Sequence, residues 1–427
     1  MKALYVSQYF PPEIGAPAVR VSQMSAHWRA AGHDARVLTG FPNHPDGIVP
    51  PEYRPKLRRL VCTEDYRGVP VYRTWLYPAA NKGVIGRSAN YGSFMVSAAL
   101  RGRSLGFRPD VVIGTSPQLL CPLAAASIAR RFRARFVFEV RDLWPESLEA
   151  VGVCAKGSLP YRLLDRVAAR LYKQAWKIVV VTETFRKELI ERGVPPGKIS
   201  VVTNGVDTDF FRPDVAPPAE LAANEGLRGK FIVSYIGTLG MAHGLDTLLD
   251  CAKLLLRRTE IQFLVIGTGA DREHLQRRAA EEALANVTFS GPRPWGEIPG
   301  YLGASGACVV HLSRSPLFET VLPSKMFEVM AAGRPIVLGV EGEARRLLER
   351  ARAGIAVEPE NPLQMRDAIV ALSENADLCQ RYGASGREYA RENCSYAARA
   401  RDYWDVLCPA DEMPEGLASP LASASAG

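Results

Sequence analysis

The stretch Thr320–Val337, TVLPSKMFEVMAAGRPIV, decides the fold. Leu322-Pro323 cannot be helical, because the proline ring drives the residue before it out of the α region. Ser324 is read as a helix cap. A short amphipathic helix follows, stops at Gly333, and Pro335 releases an apolar strand, Ile336–Val340. Loop, helix and strand in this order belong to a doubly wound parallel sheet, where ligands bind beyond the carboxyl ends of strands. Free N–H groups and the positive dipole end at such a helix start suit an anion. Lys325 stands in that first turn, where a cation opposes the dipole and a bound anion would account for it. Glu328, one turn later, offers paired acceptor oxygens suited to a ribose diol.

Outward from this segment, apolar strand-like runs alternate with amphipathic helices over most of the 427 residues. In the first half the runs are 3–6, 35–39, 111–114, 136–140, 178–182 and 199–203. In the second they are 231–236, 262–266, 287–289, 307–311, 336–339 and 354–357. Each set predicts one Rossmann-like unit of about six strands. The expected organisation is an N-terminal domain over 1–203 and a linker over 204–230, rich in turn formers. A second domain spans 231–384, a helix over 385–408 returns to the first, and the tail 409–427 is disordered.

Composition narrows the class. With 47% hydrophobic and 23% charged residues the chain is a soluble globular protein. The net charge of +8 is uneven: residues 1–200 carry 30 Lys and Arg against 15 Asp and Glu, the remainder 23 against 30. The basic half suits an anionic membrane surface. Nucleic acid is disfavoured, because no zinc-finger spacing, RNP-like run or heptad-linked basic helix is present. The cations cluster as Arg54, Lys56, Arg58, Arg59 and as Arg130, Arg131, Arg133, Arg135, and a merely solvated face stays open for both. The eight cysteines have no CxxC or Cys/His metal spacing, which fits a reducing cytoplasm. The opening residues MKALYVSQYF read as a first strand rather than a signal peptide. No run is long and apolar enough for a membrane span.

Several segments carry a resemblance. E-V-M-A-A-G-R-P-I-V (328–337) resembles the donor-site element of the retaining, GT-B-fold glycosyltransferases of family 4, in which two glutamates stand eight positions apart. Glu328 is the second. The first would fall at Thr320, with Glu319 one residue earlier. The P-S-K insertion and EVRDLWPES (139–147) are similar to a subgroup making bacterial O-antigen, capsule and exopolysaccharide, which includes the WbuB-like transferases assigned to L-fucosamine. SQYFPPEIGAPAVR, followed by GHDARVLT, resembles the family's glycine-rich loop, with Gly15-Ala16 where Gly-Gly is usual. YIGTLGMAHGLDTLL (235–249) resembles its phosphate-binding segment, with Thr238 in place of Arg and His243 in place of Lys. VIGTGADREHL and NVTFSGPRP match the turns that hold the nucleotide. TNGVDTDFFRP (203–213) matches the interdomain turn, so Asp207 and Asp209 are not read as a metal-binding D-x-D.

The resemblance implies an α/β GT-B fold of two facing Rossmann-like domains with a cleft between them, and metal-independent glycosyl transfer. It implies Asp142 and Lys325 as catalytic candidates; for Asp142, a salt bridge to Arg141 or a helix cap remains open. It implies a donor-binding set of Gly15, Ala16, Gly237, Thr238, His243, Gly267, Pro292, Arg293, Arg314, Glu319, Thr320, Val321, Leu322, Ser324, Lys325 and Glu328. Lys325 and Arg314 are the candidates to replace the missing diphosphate cations. No cofactor and no metal are implied, since the UDP-sugar is a substrate. The implied acceptor is an undecaprenyl-diphosphate-linked saccharide at the inner face of the plasma membrane. A UDP-N-acetylglucosamine 2-epimerase and a non-catalytic scaffold of the same fold are the alternatives.

Overall fold

The computed structural model describes residues 1–13, 15–80, 83–145, 155–223, 226–316 and 318–409. The expected disordered tail beyond 409 and Glu146 and Ser147 of EVRDLWPES lie outside the described residues. The chain divides into two compact units. The first holds Met1–Val181, Glu188–Val202 and the chain from Ala397; the second holds Thr182–Lys187 and Thr203–Tyr396.

The first unit is built on an eight-stranded sheet of order β3-β4-β2-β1-β5-β6-β7-β8. Its strands are β1 (Lys2–Val6), β2 (Asp34–Gly40), β3 (Val61–Tyr66), β4 (Val69–Thr74), β5 (Val111–Thr115), β6 (Arg135–Val140), β7 (Lys177–Val180) and β8 (Ile199–Val201). All neighbours pair in parallel except β3 and β4. The β3–β4 hairpin was not among the expected strands. Its turn, Arg67-Gly68, has positive φ at both residues (55° and 79°), as a two-residue I′ hairpin requires. The edge strand β3 is VCTEDY, never fully buried, so it lacks the apolar run that marks a central strand.

The second unit is a six-stranded parallel sheet of order β11-β10-β9-β12-β13-β14. Its strands are β9 (Phe231–Ile236), β10 (Ile261–Ile266), β11 (Val287–Gly291), β12 (Ala307–His311), β13 (Ile336–Gly339) and β14 (Gly354–Ala356). The order reverses about β9, whose neighbours are β10 and β12. That switch point is where a doubly wound sheet opens a crevice at its carboxyl edge.

In the first unit the core encloses a polar cluster. Arg20 Nε meets Glu139 Oε1 at 2.8 Å with side chains 1% and 0% exposed. Tyr5 Oη donates to Glu139 Oε2 at 2.6 Å, and Arg20 Nη2 donates to Val202 O at 2.9 Å. Burial is the largest influence and pushes the Glu139 carboxyl up, but the charges of Arg20 and Arg141, with hydrogen bonds from Thr115 and Tyr5, together hold it below the usual carboxylate range. The helix Tyr396–Leu407 closes this core: Trp28 Nε1 donates to Ala400 O at 2.8 Å, and Trp28 packs edge-on to Tyr403.

The expected single helix over 385–408 is two, Ala376–Asn393 and Tyr396–Leu407. At the break Val206 inserts like a strand. It donates to Cys394 O at 2.8 Å and accepts from Tyr396 N at 3.1 Å, which takes those groups out of any helical ladder. A local sequence pattern cannot reveal a partner nearly two hundred residues away.

Candidate active site

The decisive helix runs Ser324–Ala331 and buries Met326, Phe327, Val329, Met330 and Ala331. Lys325 and Glu328, three apart and therefore on one face, are left half-buried at its edge. Ser324 is not the cap expected. Pro323 flanks the helix, no side chain caps it, and Pro323 O accepts from Met326 N at 3.0 Å. Proline already sets the entry angle, and the N–H groups of Ser324 and Lys325 have no partner among the described residues.

Lys325 reaches back over the carboxyl end of β9. Its Nζ donates to Tyr235 Oη at 2.9 Å and lies 4.0 Å from the centre of the Tyr235 ring. Tyr235 Oη in turn donates to Thr238 O at 2.7 Å. A Cβ at Gly237 would come 2.8 Å from Nζ, and one at Gly267 would come 1.8 Å from Gly237 O. Both glycines have φ in the range that side chains disfavour, 149° and 143°. Glycine at these positions lets the two turns and the ammonium close on one point.

The Gly237–His243 loop is pinned on both sides. Leu239 N donates to Thr268 O at 3.0 Å, Asp271 N to Leu239 O at 3.0 Å, and Ser313 N to Ala242 O at 2.9 Å. His311, buried at the end of β12, holds the loop from below. Its Nδ1 is 2.7 Å from His243 O and its Nε2 accepts from Glu360 N at 3.0 Å. That pair of partners requires the neutral tautomer with the proton on Nδ1. Burial, then the charge of Lys325, pulls His243 down to about 4, so it is neutral near pH 7.

Lys325 and Glu328 border the same small cavity, with Ile236, Ile298, Leu302 and Val329. Burial pulls Lys325 down to about 8, opposed by Glu328. Burial likewise pushes Glu328 up to about 7, opposed by Lys325. The carboxyl and the ammonium therefore both titrate close to neutrality.

Other members of the implied set stand further off or are engaged. The Arg293 guanidinium is held by Glu220 at 2.6 Å through both terminal nitrogens, and also by Ser290. Arg314 donates to Pro359 O at 3.1 Å and sits 3.8 Å from Glu358. Lys325, not Arg314, is thus the cation at the Gly237 turn. Glu319 and Thr320 end a short 3₁₀ turn (Phe318–Thr320), followed by Val321 and the buried Leu322. Glu319 is exposed; its carbonyl packs where a Cβ on Gly342 would fall, 2.1 Å away. Asp207 Oδ1 accepts from Asp209 N and Phe210 N at 3.1 and 3.0 Å, so this carboxylate braces its own turn.

Gly15, Ala16 and Asp142 belong to the first unit. Gly15 precedes the helix Ala16–Ala30. Asp142 follows β6, and Ser116 Oγ accepts from the backbone N–H groups of Arg141 and Asp142 at 2.7 and 3.3 Å. Burial pushes Asp142 up to about 6, with Arg141 opposing. No salt bridge joins it to Arg141 among the described residues.

Tyr235 and His311 escaped the sequence reading. His311 ends β12 and Tyr235 stands one residue before the end of β9, where each looks like an ordinary core residue; the only signal was a polar side chain beside a glycine-bearing loop.

Residues 15–205 match the family described as Glycosyl transferase 4-like domain, and residues 219–389 match Glycosyl transferases group 1. With two parallel sheets of Rossmann type, the chain is a glycosyltransferase of the GT-B fold. Within that class it is built as a family 4-like domain followed by a group 1 domain. It is 25% identical over 401 residues to WcaI of Escherichia coli (strain K12), named as a candidate colanic acid biosynthesis glycosyl transferase, covering 91% of this chain and 95% of WcaI. It is 27% identical to WbjE of Pseudomonas aeruginosa, named as a candidate glycosyltransferase, over 70% of this chain and 75% of that one. Among solved structures, Anabaena Alr3699/HepE in complex with UDP superposes with a TM-score of 0.69 at 16% identity, covering 95% of this chain and 99% of that chain.

Proposed function

We propose that the chain transfers a sugar from a UDP-sugar to an undecaprenyl-diphosphate-linked saccharide in bacterial surface polysaccharide synthesis, with retention and without a metal. The observation that carries this reading is the Lys325 ammonium held against the Gly237 turn, with the Glu328 carboxyl one helical turn on. Lys325 and the open N–H groups of Ser324 and Lys325 supply positive charge for a leaving diphosphate. Glu328 accepts from the ribose hydroxyls. Asp142, poised near 6, takes the acceptor's proton or positions the sugar. The relatives' names in polysaccharide synthesis support the pathway class. The P-S-K and D-L-W-P segments support an N-acetylated deoxyhexosamine such as L-FucNAc. A screen of UDP- and GDP-sugars by thermal shift, followed by turnover with and without EDTA, tests the reading. The expected result is a UDP-sugar preference and EDTA-resistant transfer. Manganese-restored activity, or epimerised UDP-sugar without transfer, would overturn it.

We further propose that the first unit docks on an anionic membrane. No helix among the described residues is long and apolar enough to cross one. Between β4 and the end of the helix Val84–Arg101, Leu76 and Phe94 are fully buried and belong to the core. Tyr77, Ile85 and Val96 are exposed, as are Leu60 and Ile48 beside Arg54, Arg58 and Arg59. Apolar tips among cations suit the interfacial layer, at about 1 kcal/mol per cation on an anionic leaflet. Replacing Arg54, Lys56, Arg58 and Arg59 with Gln should cut sedimentation with anionic vesicles and leave UDP affinity unchanged. Equal sedimentation with neutral and anionic vesicles would remove the membrane.

A further inference from the structure

We infer that Tyr235 is a positioning residue: it aims the Lys325 ammonium at the Gly237–Thr238 turn and so presents the cation that meets the donor's diphosphate. The inference rests on the donor-site reading above.

Tyr235 is fully buried on β9, in register with Val265 of β10, so its ring has little freedom. Its single hydroxyl proton is committed to Thr238 O at 2.7 Å. The oxygen lone pairs therefore face Lys325, and Nζ donates to them at 2.9 Å. The ring adds a second hold, with Nζ 4.0 Å from its centre. A lysine side chain is otherwise a flexible four-carbon stem, and fixing it in advance removes the ordering cost from the binding step.

The contact is not an ion pair. Tyrosine is neutral here, because burial raises its pKa. The groups that bear on Lys325 are Glu328 on its own helix, His243 on the loop and His311 on β12, both histidines shifted towards the neutral form. Among the described residues Nζ has no hydrogen-bonded carboxylate. Its other two N–H donors are left for an anion at the turn, where Gly237 leaves room that a Cβ would fill.

The test is a double-mutant cycle by calorimetry with two probes, UDP and uridine. Lys325→Met should weaken UDP by more than about tenfold and uridine by less than about twofold, as loss of a charge-assisted contact to phosphate predicts. Tyr235→Phe keeps the ring and should weaken UDP about fivefold while sparing uridine, whose unchanged affinity reports a folded site. The double variant should bind UDP within about twofold of Lys325→Met alone, because Tyr235 acts through Lys325. Losses that multiply in the double variant, or UDP affinity untouched by Tyr235→Phe, would overturn the positioning role alone. UDP affinity untouched by Lys325→Met would overturn the donor-site reading and the positioning role with it.

Discussion

Replacing Glu328 with alanine should weaken UDP binding by about 1.5–3 kcal/mol, roughly 10- to 150-fold, because a charged acceptor of the ribose hydroxyls is lost. The protein should stay folded, since the carboxyl is half-buried and makes no hydrogen bond among the described residues. The pH dependence carries the stronger signature. Glu328 must be ionised to accept from both hydroxyls, so affinity falls as pH drops through about 7. Lys325 must be protonated to meet the diphosphate, so affinity also falls as pH rises through about 8. A narrow bell results, and its two limbs belong to the interacting pair rather than to either residue alone. Glu328→Ala should abolish the acid limb. Calorimetry between pH 6 and 9 measures both effects, and a variant that keeps the acid limb would remove Glu328 from nucleotide recognition.

The second large effect concerns stability. Arg20→Met should cost the first unit about 3–5 kcal/mol, the range for stripping one partner from a buried ion pair. Glu139 would keep the Tyr5 hydroxyl, a Thr115 hydrogen bond and the Arg141 charge against complete burial. The sign of the pH response should also invert. In the native protein the Glu139 pKa lies below its unfolded value, so its contribution is present above the unfolded value, about 4.3, and is lost as pH falls through the lower folded value. Without Arg20, burial dominates and raises that pKa. The variant should then gain stability as pH falls from 8 towards 5. Urea unfolding at pH 8 and pH 5 distinguishes the cases, and an equal deficit at both would contradict this account.

Sequence and structure agree best where chemistry is local. The Leu322-Pro323 loop, the helix after it and the Lys325/Glu328 spacing were readable because each follows from neighbours within one or two turns. The β3–β4 hairpin was missed because an edge strand facing water carries no apolar run. Arg293 was placed in the nucleotide set by its motif, yet its guanidinium is taken up by Glu220, a partner 73 residues away. Tyr235 was invisible for a related reason. A strand pattern says that a side chain is buried, and only packing says that its hydroxyl bridges Thr238 and Lys325.

The closing of the first unit by the helix Tyr396–Leu407 bears on how the protein is made. Trp28 and Ala400, joined by a hydrogen bond, are 372 residues apart. At a synthesis rate of about 5–20 residues per second, the face of the first unit around Tyr5 and Trp28 waits roughly 20–70 s on the ribosome for its cover. A nascent chain displaying that aromatic surface is a substrate for a chaperone that shields hydrophobic patches, until the helix Tyr396–Leu407 leaves the exit tunnel and seals it.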